Sequence, residues 1–284
     1  MQPPRQRVRR LPRVACRAIV WTAVLHAAAA FAQAPARPAP ALDAQFEARA
    51  RAVMSPTDAP AQEQALAALR TMDSAELIPR LVRFSAHAEN TREGMAAGVI
   101  IERLRLSRSA VIAGLIPHLG TEDEPFDASI RGILRSYEGR DGDRAPDFSI
   151  YREFVESAAR ADEHPPESLV LYLYESDPGA ALMLMMRAHG LRDPTEIKAV
   201  LWGEHVVADA LWRQRYGFLE PGRVDPDAAR ELSRLATSSQ WWARLYVAEI
   251  LHQHAVFRRD GLVAALAHDS HALVRRTAAH LDSD

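Results

Sequence analysis

Few side chains in this sequence are both reactive in type and spaced to act together. Glu249 and His252 form a Glu-x-x-His pair, which sets a carboxylate and an imidazole on one face of a helix. His205 and Asp209 stand four apart, a spacing that suits a helix-surface hydrogen bond or two ligands to one ion. Met186 and His189 pair a thioether with an imidazole three residues on, donors that suit Cu(I), with Met183 and Met185 close by. His268 and His271 are three apart across a turn, in a stretch that also holds His252, His254 and His280. Asp141, Asp143 and Asp147 bring three carboxylates to one loop.

Each set falls short of the chemistry it would perform. A carboxylate-bridged di-iron centre takes two Glu-x-x-His motifs and two further glutamates; one motif is present. Zinc takes three or four converging ligands. A calcium loop starting at Asp141 needs Glu at its twelfth position, where Arg152 stands. Methionine in a helix of Ala and Leu is ordinary core filling. There is no Gly-x-Ser-x-Gly elbow, P-loop, dinucleotide loop or cysteine nucleophile. The expectation is no catalytic residue, no cofactor and no metal. His205, Asp209, Glu249, His252, Met186 and His189 are the residues that the alternative, an exported metal-dependent enzyme or metal-binding protein, would use.

The elements that carry these residues read as helices. Apolar residues recur at helical spacing near 43–54, 58–71, 74–87, 90–105 and 108–119, and no alternating strand pattern follows the N-terminus. Thr121 to Pro125 is an acidic turn, and Asp127 is placed to cap the helix of Ile130, Ile133 and Leu134. Glu138 to Asp147, with Gly139, Gly142 and Pro146, is the longest loop, followed by helices near 148–160 and 166–175. Asp177-Pro178, Asp193-Pro194 and Asp225-Pro226 each place Asp at an N-cap and Pro at the first helical position, where its missing N–H costs nothing. The helix after Pro194 is the longest and reaches towards Tyr216. Four shorter helices follow, at 226–237, 240–254, 258–267 and 270–281. The second of them is apolar almost all round, with Trp241, Leu245 and Ala248 on one side and Tyr246, Val247, Ile250 and Leu251 on the rest, so it is expected between two layers. Tyr137, Tyr151, Tyr172, Tyr174 and the Trp241-Trp242 pair sit at helical spacing, which predicts core rather than interface anchors.

The C-terminal region is written twice in one pattern. Arg244 is followed by Ala248 and Ile250, and Arg275, 31 residues later, by Ala279 and Leu281. Leu262 to Leu281, with its leucine-rich first helix, Asp269 in the turn, Val274-Arg275, Ala279 and Leu281, resembles a HEAT repeat, in particular the short bacterial variety named after phycobilisome lyases. The preceding copy supplies Trp242, Arg244, Ala248, Ile250 and Leu251, but has Ser238-Ser239 where an Asp is expected. The resemblance covers about 226–284; a third copy around Asp127, Ile130 and Leu134 has Arg135 where Ala belongs, and 160–222 matches no repeat. It implies an all-α, right-handed α-α superhelix of HEAT or armadillo-like type, of six or seven helix pairs, whose units stack because none buries its apolar face alone. In such an array Ala248 and Ala279 let helices approach closely, and Arg244 and Arg275 enter the seam between units, where they need oxygen partners such as Asp269. HEAT scaffolds that hydroxylate a modified lysine hold di-iron through repeated His-Glu dipeptides, which this chain lacks; Glu204-His205 has the reverse order.

The N-terminus reads as an export signal. Arg5, Arg7, Arg9, Arg10, Arg13 and Arg17 precede an uncharged apolar stretch from Ala18 to Ala32, and Ala30-Phe31-Ala32 fits cleavage before Gln33. Fifteen residues fall short of the roughly 20 that span a bilayer, although an uncleaved anchor is the alternative. Residues 33–42 are a Pro/Ala spacer, and 43–284 reads as one helical-repeat domain, most repeat-like over 226–284. The 35 basic residues less these six leave 29 against 37 acidic ones, a net charge of −8. That excludes ordinary nucleic-acid binding, which needs a basic face, and disfavours anionic lipid. The sequence thus predicts a periplasmic or secreted, non-enzymatic scaffold that binds another protein, with no membrane insertion once the signal is removed.

Overall fold

Every regular element among the described residues is helical. The computed structural model describes residues 44–55, 57–139 and 145–281. The signal segment 1–32, the spacer 33–42 and Asp141 and Asp143 lie outside them. No helix among the described residues is long and apolar enough to cross a membrane. The chain divides into two compact units, one ending at Gly139 and the other beginning at Arg140. At the division Gly139 takes a left-handed φ of 67° just after a helix ends.

The first unit contains α1 (Ala44–Met54), α2 (Ala59–Arg70), α3 (Ser74–Ala86), α4 (Thr91–Gly94), α5 (Ala96–Leu104), α6 (Arg108–Leu115) and α7 (Glu124–Tyr137). Its centre is α3, whose Leu77, Ile78, Leu81, Val82 and Phe84 are buried against α5, α6 and α7. Close approach of α6 depends on Gly114, where a Cβ would lie 3.2 Å from that of Ile78. Two expectations are corrected here. The helix expected over 90–105 is two, because Gly94 is a poor helix former and the Ser85 hydroxyl of α3 accepts from Ala97 N–H at 2.8 Å, capping a new start. The cap of α7 is Asp123, not Asp127: Pro125 sits in its first turn, and Asp123 accepts from Phe126 N–H. Asp127 instead accepts from Gly120 N–H at 2.7 Å and pairs with Arg131.

The second unit opens with a 3-10 turn, Phe148–Tyr151, and continues as α8 (Arg152–Arg160), α9 (Glu167–Ser176), α10 (Pro178–Ala188), α11 (Pro194–Arg215), α12 (Pro226–Leu235), α13 (Trp241–Gln253), α14 (Asp260–Ala267) and α15 (Ala272–Ala279). The three Asp-Pro starts behave alike. Asp177 accepts from Ala180 N–H at 2.9 Å, Asp193 from Thr195 N–H at 2.8 Å, and Asp225 from Asp227 and Ala228 N–H at 3.0 Å. Helix α13 is the hub, with α9, α10, α12, α14 and α15 packed around it. Ala243 and every residue from Leu245 to Leu251 are buried, and the Tyr174 hydroxyl donates to the Trp242 carbonyl at 2.8 Å. Helix α11 packs differently. One stripe, Val200, Gly203, Val207 and Ala210, is buried, chiefly against α12. Gly203 permits this contact, since a Cβ there would lie 2.8 Å from Arg234 Nη2 and 3.2 Å from Leu235.

Candidate functional site

The turns before α13 and α15 are held by arginine. Arg244 donates from Nε and Nη2 to the two Asp269 carboxylate oxygens at 2.6 and 2.9 Å, and from Nη1 to the Ser238 and Ser239 carbonyls at 2.7 and 3.2 Å. Arg275 repeats the second half, donating from Nη1 to the Asp269 and Ser270 carbonyls at 2.6 and 2.8 Å. Each arginine therefore reaches back six and five residues to its own turn, and Asp269 joins the two copies. Burial works against ionisation of Asp269, but the Arg244 hydrogen bonds, the His271 N–H and the arginine charge outweigh it and hold the carboxyl below its usual range. Such a set of charge-assisted bonds to carbonyls and a carboxylate locks a turn. Ala248 is fully buried, as close helix approach requires. Ala279 is exposed: its equivalent in α13 is covered on all sides, whereas α15 lies at the edge of the unit, and it is Ala278 that is buried there. A close-approach role therefore belongs to Ala248 and not to Ala279.

Of the residues with metal-binding potential, the structure unites few. Glu249 is buried in α13 while His252 is exposed, so the Glu-x-x-His pair is split between core and solvent. Burial, with a smaller contribution from the charge of Glu175, pushes the Glu249 carboxyl up to about 7. Its Oε2 is buried without a hydrogen-bond partner, which favours the neutral acid. Met186 is buried in α10, while His189 donates from Nδ1 to the Met185 carbonyl at 3.0 Å and faces Trp241 and Trp242, at 6.0 and 6.2 Å between rings. His205 and Asp209 are both exposed, and Asp209 is paired with Arg213 at 2.8 Å. Asp147 caps the 3-10 turn through Ser149 N–H. Among the described residues, no group of three or more His, Cys, Asp or Glu side chains converges to hold an ion. A cluster unseen in the sequence does form around Trp241: His271 stacks on its indole at 4.3 Å and His164 meets both rings edge-on. Burial foremost, then the charge of His164, lowers the His271 pKa, and its neutral Nδ1 accepts from Leu273 N–H to cap α15.

The feature without a structural explanation is the outer face of α11. Tyr151, Tyr172, Tyr174 and Trp242 are fully buried, as their spacing predicts, while Tyr137 and Trp241, expected in the core with them, are half-buried. Apart from Met95 in the first unit, the large apolar side chains left in solvent among the described residues are different ones: Trp202 is 61 % exposed, Trp212 53 %, Tyr216 54 % and Phe218 67 %. Trp202, His205, Asp209, Trp212 and Tyr216 are spaced three, four, three and four apart. At 100° per residue they lie within roughly 80° of one another, along about 21 Å, on the side away from the stripe buried against α12. Phe218, just past the helix, stacks on Trp212 at 5.3 Å, and Tyr216 lies 5.0 Å from the same ring. Leu201 and Val206 are half-buried at the margins. Beside the C-terminal end of the stripe, Leu211, Trp212, Gln214, His254 and Val256 line a groove of about 570 Å³. Apolar surface of this kind, rimmed by polar groups, is what a protein contact uses. Its signal was present in the sequence as a second three-four stripe on a helix already apolar on one side. No protein-family model, curated protein or solved structure matches this chain.

Proposed function

We propose that this chain is an exported, non-enzymatic scaffold, a right-handed α-α superhelix of HEAT and armadillo-like type, that binds another protein in the cell envelope. The observation that carries the binding role is the exposed aromatic stripe of α11. Four of the largest apolar side chains in the described residues are left in water within one helix and its following loop. Each aromatic ring brings on the order of 150–250 Å² of contact surface, and such rings dominate binding energy where they are buried by a partner. The repeat-like pairing of Arg244 and Arg275 with their turns supports the superhelical reading of the C-terminal helices. The signal segment supports export, and the acidic balance of the remaining chain supports a protein partner over nucleic acid.

The test is site-specific photocrosslinking in the producing cell, with the crosslinker placed in turn at Trp202, His205 and Trp212, and at Glu153 and Arg230 as exposed controls. Protein adducts from the three α11 positions and none from the controls are expected. Equal adduct yields everywhere, or none from α11, overturn the proposal.

A further inference from the structure

Resting on α11 as the docking face, we infer that its occupant is α11 of a second copy of this chain, the two helices packed antiparallel about a two-fold axis near Asp209. The alternation of three and four residues is the knob spacing of paired helices. Centred on Asp209, the antiparallel register sets Trp202 against the partner's Tyr216 and His205 against the partner's Trp212. Each ring of the stripe then meets a ring, and the contact is self-complementary, as a two-fold interface must be. Asp209 meets its own copy at the axis, where each carboxylate lies 2.8 Å from Arg213, a guanidinium that it shares with the buried Asp225, so the two charges are offset in part. Lys198, the only lysine of the chain, stands one turn before Trp202 on the same face, and Glu220 follows Phe218 at the other end; both are exposed. Antiparallel packing brings Lys198 towards the partner's Glu220, whereas parallel packing sets like on like. The area is that of a small, concentration-dependent contact. The exposed parts of Trp202, Trp212, Tyr216 and Phe218 come to on the order of 450 Å² per chain, and the margins at Leu201, His205 and Val206 carry this towards the roughly 800 Å² per partner of a stable contact.

The experiment is sedimentation equilibrium on the exported protein purified from the envelope, which has lost Cys16, the only cysteine of the sequence, with its signal segment, across roughly 1–100 μM, with circular dichroism to verify folding of every variant. A monomer–dimer equilibrium is expected, with Trp202→Ala or Trp212→Ala weakening it about 30-fold or more. Under oxidation, Asp209→Cys should form a dimer through residue 209. The double variant Trp202→Cys/Tyr216→Cys should crosslink as well, since its two sites, about 21 Å apart along the helix, cannot close within one chain. Trp202→Cys alone should not, and if it does the helices are parallel and the stated geometry is wrong. A monomer at every concentration overturns the second copy as occupant; α11 remains the docking face if the cellular crosslinks from Trp202 and Trp212 run to another protein. A dimer indifferent to both tryptophan variants overturns this inference and counts against the docking face too.

Discussion

Helices α13 and α11 are both apolar on more than one side, yet they end in opposite environments. Five helices enclose α13, and its side chains from Leu245 to Leu251 are all buried. Helix α11 has one stripe against α12 and a second, with two tryptophans, in water. An apolar perimeter thus fixes a need for cover without stating whether the cover comes from the same chain. Where the chain supplies it, as for α13, the result is a core. Where it does not, the exposed stripe is a standing cost in water that a partner relieves.

Two tryptophans, Trp242 and Trp212, give a sharp contrast. Trp242 is fully buried in α13 against α10 and near His189. Trp242→Ala removes its area from the core and leaves a cavity, so urea denaturation should show a loss of about 4 kcal/mol. A loss below about 1 kcal/mol would mean that the hub collapses to fill the space, and that α13 is not the rigid centre described. Arg244→Ala comes next. It strands the Asp269 carboxylate, whose side chain is only 6 % exposed, and is expected to cost between about 3 and 4 kcal/mol. Because the Asp269 pKa is lowered from 3.8, the stabilisation by the pair is complete above that pH and disappears as pH falls through the lower folded value. The variant should therefore lose this part of the wild-type acid sensitivity. Equal acid unfolding curves below pH 4 would show that the pair contributes nothing.

Glu249 supplies a third point, on the opposite limb of the pH scale. In the unfolded chain its carboxyl ionises near 4.5, and in the folded chain near 7. Between those values the folded state holds the extra proton, so stability falls as pH rises through the window and is level above it. The shift corresponds to about 3 kcal/mol. Glu249→Gln cannot ionise; it should match the wild type at pH 4 and exceed it by about that amount at pH 8, as read from urea midpoints. Parallel stability profiles for the two proteins would place the ionised carboxylate in contact with water.

These outcomes bear on how much was legible in the residues themselves. The caps at Asp177, Asp193 and Asp225 are local chemistry within three residues, and the sequence reading places them correctly. The all-round apolarity of α13 reads equally well, because a helix with no wet side has few options. Long-range packing was harder to see. The break at Gly94 depends on a hydroxyl from another helix, Ser85. Trp241 gathers His164 and His271 across more than a hundred residues of sequence, which no spacing rule anticipates. The outer face of α11 was hidden for a different reason. Its buried stripe at Val200, Gly203, Val207 and Ala210 and its exposed stripe at Trp202, His205, Asp209, Trp212 and Tyr216 have the same three-four period. Superposed, they leave no dominant face, and the tertiary arrangement alone decides which is covered.

Trp212→Ala is therefore expected to do almost nothing to folding. The ring packs on Tyr216 and Phe218, which are themselves exposed, and borders an open groove, so its removal widens a surface that water already reaches rather than leaving a closed cavity. Surface changes of this kind stay within about 0.5 kcal/mol, and the reduced apolar exposure of the folded state can even raise stability slightly. The same substitution that costs about 4 kcal/mol in α13 should thus be nearly silent in α11 when measured at a dilution where any assembly has dissociated. A loss above about 2 kcal/mol in dilute protein would mean that Trp212 packs within its own chain in solution. Its exposure would then no longer separate α11 from α13, and the stripe would belong to the fold rather than to a contact.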